Sequence, residues 1–172
     1  MENWDILSNI AQSLLPVQKL ISGGAYLLGI LFAMKALMSL KTHSESRGNS
    51  ASTMKEPLLY FIVAGVFIYF PTGIDVIMNT TFGYSNILSY TDASAMSTWV
   101  GGDGQLGNAL TVIIQTVGLY AFVRGWIMVA KSSSTGQPPN GTGKGLTHVF
   151  GGILAVNIVG TVEMINNTLM GT

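Results

Sequence analysis

The side chains with titratable chemistry inside this chain's apolar stretches are Lys35, Asp75, Arg124 and Glu163. Inside a bilayer such groups mark ion pathways, proton relays or paired charges, and an arginine fork suits a phosphate. Catalysis asks for more than they offer. Asp75 and Glu163 stand in different apolar segments with no nucleophile beside them, and Ser132, Ser133 and Ser134 have no base at helical spacing. The histidines, His43 and His148, adjoin different loops, and neither has a second ligand at metal-binding spacing. The run GQPPNGTGKG resembles a phosphate loop only in part. Pro138 stands where its first glycine belongs, and Gly145 replaces the Ser or Thr after Lys144. With no cysteine for thiol chemistry, the chain is expected to be non-enzymatic, with no metal and no cofactor.

The elements that must position those charges follow from composition. Of 172 residues, 48% are hydrophobic and 9% charged, where soluble domains carry roughly a quarter charged. This reads as an integral membrane protein. A formal net charge of zero argues against a nucleic-acid footprint. Crossing a bilayer takes about 20 apolar residues as a helix, and four stretches qualify: Leu20 to Leu40, Pro57 to Met78, Asn108 to Ala130, and Gly145 to about Met170. Pro71 and Gly73 predict a kink in the second.

The expected fold is therefore all-α, with four hydrophobic helices as two tandem helical hairpins and a short N-terminal amphipathic helix. Its parts are one membrane domain over 1–172: an interfacial helix (1–19), a first hairpin (20–83), an external Gly-rich loop (84–107) and a second hairpin (108–172). Glu2 and Asp5 precede any basic residue, the wrong charge order for a signal peptide, so the N-terminal helix is expected to be retained. Lys41, Arg47, Lys55, Lys131 and Lys144 cluster in or beside the first and third loops, which the positive-inside rule makes cytoplasmic.

The two hairpins read as copies of one unit. Gly29 aligns with Gly118 and Lys35 with Arg124 at an offset of 89 (118 less 29, 124 less 35). At an offset of 88, IDVIMNTTFG (74–83) aligns with VEMINNTLMG (162–171), matching Asp75 with Glu163 and Asn79 with Asn167. Each copy then carries a basic residue in the cytoplasmic third of its first helix and an acid in the outer third of its second. A pairing that sets Lys131 opposite Gly145 keeps Arg124 and Glu163 roughly 16 Å apart along the axis. Counter-ions are thus expected from lipid phosphate or a neighbouring subunit. Small residues four apart, Ala25, Gly29 and Ala33, and Gly151 with Ala155, are the expected close-packing stripes.

AFVRGW, GQPPNGTGKGLTHVFGGILAVNIVGT and INNTLMG, with KEPLLYFIVAGVFIYFP and NTTFGYSN in the first half, resemble the IcmC (DotE) family of the Dot/Icm type IVB secretion system and its TraQ-like relatives in I-type conjugation systems. The resemblance implies an inner-membrane component of a Gram-negative export apparatus, without catalytic residues. Joined to the residue-level reading, it predicts a structural subunit that binds membrane lipid, anionic phospholipid included. That subunit would self-associate as a homo-oligomer, contact other secretion-system subunits, and polymerise as a pilin-like, extracellular filament. The alternative is an adaptor of the same apparatus that binds other subunits through the 80–107 loop and forms no homopolymer.

Overall fold

The computed structural model describes residues 3–45, 54–82, 104–132 and 141–171. These form α1 (Asn3–Glu45), α2 (Lys55–Ile68), α3 (Phe70–Phe82), α4 (Gly104–Ser132), α5 (Gly141–Val156) and α6 (Ile158–Met170), with no strand among the described residues. Two stretches, Ile6–Glu45 and Leu106–Ser132, are single helices long and apolar enough to cross a membrane. The count rises to four if each bent pair, α2 with α3 and α5 with α6, is one span. The long apolar helices suggest membrane association.

Two features differ from the sequence expectation, the course of α1 and the break in the fourth stretch, while the kink expected in the second stretch is present. The N-terminal helix is continuous with the first apolar stretch, so α1 runs 43 residues straight through Pro16. Proline inside a helix removes one backbone hydrogen bond, and the flanking apolar turns hold the helix together around it. The second and fourth stretches are each broken, by bends of 91° and 89°. The breaks fall at Tyr69 and Asn157. Pro71, whose ring crowds the carbonyl four residues back, accounts for the first. Asn157 accounts for the second: its side chain caps α6 by accepting from Gly160 N at 3.2 Å, a competition with the helix ladder that polar short side chains win at helix starts.

Helix pairing follows from glycine. In the α4–α5 pair, a Cβ on Gly125 would lie 2.7 Å from Gly145 O and Val149 N, and a Cβ on Gly152 would lie 2.7 Å from Phe122 N. Gly118 meets Val156 N at 2.7 Å in the same sense. Gly125 therefore packs between Gly145 and Val149, Gly118 on Ala155 and Val156, and Gly152 on Phe122, which shifts the expected register by about two residues: Gly145 faces Val129, not Lys131. The reason is steric. Glycines seven apart on both helices form two facing notches, and only this register nests backbone against backbone. Ser132 and Thr142, with hydroxyls 2.7 Å apart, close the pair at its basic end.

The α1–α2 pair is antiparallel too, but aromatic. Gly29 is its one tight notch, 2.8 Å from Ile68 N at the Cβ position. Phe32 stacks on Tyr60 with ring centroids 5.9 Å apart and leans on Phe67 at 5.9 Å. The chain of rings continues through Phe70, Phe122 and Trp126 into α4. These residues form the centre of the larger core.

α1 and α4 run parallel. Gln18 donates to Thr116 Oγ1 at 2.9 Å across 98 residues, and Ala11 clusters with Ala109, also 98 apart (109 less 11), and with Val112. The packing offset of 98 exceeds the repeat offset of 89 by nine residues, or about 13 Å of helix. Equivalent residues of the two copies are therefore staggered along the axis, not level.

Candidate functional site

The parallel course of α1 and α4, with α2 and α5 returning antiparallel, puts the C-terminal ends of α1 and α4 and the N-terminal ends of α2 and α5 at one end. Lys41 and Lys55 stand toward that end on the first pair and Lys131 and Lys144 on the second, all exposed, with the two sets offset along the axis by the stagger. Lys41 pairs with Glu45 at 3.7 Å, both well exposed, a contact worth little in water. Arg47 lies outside the described residues, as does most of the 84–107 loop.

Lys35 and Arg124 project from the long helices into exposed positions. Lys35 Nζ sits 4.6 Å from the centroid of the Tyr60 ring, a buried residue, so the ammonium meets the electron-rich face. Arg124 Nη1 donates to Tyr120 Oη at 3.1 Å. Tyr120 lies one turn toward the helix N-terminus, the direction in which helical side chains lean, so the guanidinium turns away from the basic end. Both partners are neutral. Among the described residues neither cation meets a carboxylate.

The acids lie beyond the bends. Asp75 is half-buried on α3 and Glu163 is exposed on α6, and neither forms an ion pair among the described residues. Among the described residues no ion pair joins these four charges. The axial stagger means that Lys35 and Arg124, equivalent in the repeat, differ in depth.

Of the expected packing residues, Ala25 and Gly29 are buried, and Ala33 and Ala155 half-buried. Ala155 Cβ fills the notch at Gly118, 2.8 Å from its Cβ position. Gly151 is exposed with open space around it, and Gly152 makes the contact. Spacing of seven, not four, was the informative signal: 118 with 125, and 145 with 152.

What the comparison of halves adds is the identity of their geometry. Gly29 touches Phe67 and Ile68, and Gly118 touches Ala155 and Val156, which are the same contacts at offsets of 89 and 88. Tyr69 N donates to Gly65 O at 3.0 Å and Asn157 N to Ile153 O at 3.1 Å, again 88 apart. Gly73 N to Tyr69 O and Thr161 N to Asn157 O repeat the match on the far side of each bend. No protein-family model, curated protein or solved structure matches the chain. The internal match is therefore the comparison on which a functional reading rests.

Much of the remaining surface is apolar: Leu20, Leu27, Leu31, Leu37 and Met38 on α1 and Phe150 on α5 are all more than half exposed. A surface of this size and composition faces lipid or another chain.

Proposed function

We propose that the chain is a non-enzymatic structural subunit of a type IVB secretion or conjugative transfer apparatus, inserted in a bacterial inner membrane as four spans in two tandem hairpins. It self-associates into a pilin-like polymer. Anionic phospholipid or a neighbour's acid supplies the counter-ions of Lys35 and Arg124.

The observation that carries this reading is the stagger between two copies of one geometry. The second copy packs on the first in parallel, shifted about 13 Å along the axis. Adding a further chain by the same operation is a head-to-tail contact with a rise, which propagates as a helix and does not close. The neutral partners of Lys35 and Arg124 support the second part. A charge at the centre of a spanning helix costs about 2.5 to 3.5 kcal/mol, and stacking on Tyr60 or one bond to Tyr120 offsets only part of it. Sequence motifs resembling the IcmC (DotE) family point to the same apparatus.

Arg124→Glu tests the reading. Insertion, followed by membrane fractionation, is expected to be normal, and polymer recovered from the membrane is expected to vanish. Polymer at the wild-type level would overturn the assignment of Arg124 to the contact.

A further inference from the structure

Between the two breaks lies a partly open cavity of 440 Å³. Its walls come from α1 (Leu15, Ser22), α3 (Phe70, Ile74) and α4 (Leu119), with Val156 at the second break. The volume falls in the range of ligand pockets, which are mostly apolar with a few polar groups at fixed places. Here the polar groups are Gln18, Lys19, Ser22 and Gln115. Gln18 is already engaged with Thr116, and Ser22 donates to Gln18 O at 3.0 Å. Lys19 and Gln115 keep their donors free among the described residues. Lys19 is exposed and stands 16 residues, about 24 Å of helix, from Lys35 on α1 (35 less 19). It is thus remote from the basic end.

We propose that this cavity is an anionic phospholipid site, holding one acyl chain against Phe70, Ile74 and Leu119 with the phosphate on the Lys19 ammonium and the Gln115 amide. Two independent features select this occupant. The wall is apolar and formed at bends whose backbone must be covered within a bilayer, which fits a hydrocarbon chain better than water. The free donors at the rim are one cation and one amide, and no acid is among the residues that line the cavity, which fits a phosphate monoanion. The site depends on the chain lying in a bilayer and is independent of polymerisation.

The full chain in nanodiscs, with a photoreactive phosphatidylglycerol carrying a diazirine at its acyl terminus, tests the site. Cross-links are expected on Phe70, Ile74 or Leu119. Labelling should fall about fivefold or more in Lys19→Glu, by the weight of one cation near a charged lipid. Ser22→Phe, which narrows the mouth, is expected to reduce it comparably. Lys19 is exposed, so its substitution leaves the fold intact. Inorganic phosphate should not compete, which separates a lipid from a free anion. Lys35→Gln and Arg124→Gln should label as the wild type does, even where polymer is lost. Equal labelling by the phosphatidylcholine analogue, labelling confined to the outer face of α1, competition by phosphate, or undiminished labelling in both Lys19→Glu and Ser22→Phe would overturn the proposal.

Discussion

The α1–α2 and α4–α5 pairs reach the same arrangement by different chemistry. In the second, Gly118, Gly125, Gly145 and Gly152 let the two backbones touch. In the first, Gly29 alone does so, and Phe32, Tyr60 and Phe67 fill the rest. Within lipid, where apolar side chains gain nothing by leaving the solvent, helix association depends on close packing and hydrogen bonds. Glycine notches and interlocked rings are two ways to obtain it. The glycine pair has little slack, because most of the atoms nearest its glycines belong to the backbone. The aromatic pair can adjust through side-chain rotation.

That contrast sets an order of sensitivity. Gly152→Leu should be the most damaging change, since its Cβ would meet Phe122 N at 2.7 Å and Gly118 O at 2.8 Å. We expect a loss on the order of 3 kcal/mol, read as a lowered midpoint in detergent unfolding. Gly29→Leu should cost less, about 2 kcal/mol, because only one of the three nearest atoms, Ile68 N at 2.8 Å, is backbone, whereas all three at Gly152 are. If Gly29→Leu proved the more destabilising of the two, the distinction between rigid and adjustable pairs would be wrong.

The breaks offer a finer comparison. Asn157 caps α6 with its own side chain, whereas no side chain of α3 does this at Tyr69 among the described bonds. Asn157→Ala should therefore lose about 1 kcal/mol, while Tyr69→Ala loses no cap. Beyond the second break, the Thr161 hydroxyl shares its proton between Leu154 O and Asn157 O, both at 2.9 Å. Its counterpart in the first half is Gly73 (161 less 88), where a Cβ would lie 3.8 Å from Val66 O, the counterpart of Leu154 O. Gly73→Ser should reproduce the bond and raise the unfolding midpoint slightly, by about 0.6 kcal/mol. A fall in stability would mean the two bends differ more than their backbones suggest.

Much of this was legible in sequence. Apolar runs of spanning length located the helices, and the Gly29–Gly118 and Asp75–Glu163 matches exposed the duplication. The breaks were half legible. Pro71 marks the first, but Asn157 reads as one polar residue in an apolar run until its cap to Gly160 is seen. Register was not legible from small residues four apart, because only mutual approach decides which glycine faces a backbone. Gly151 and Gly152 are equivalent in composition and opposite in role. The stagger was out of reach altogether, since it depends on the long-range bond between Gln18 and Thr116.

The central claim is that one staggered geometry is repeated within the chain and then between chains. Electron microscopy of detergent-extracted or sheared wild-type material tests it most directly. A regular homopolymer with a fixed axial rise is expected, and discrete particles of one or a few chains under the same conditions would overturn the proposal.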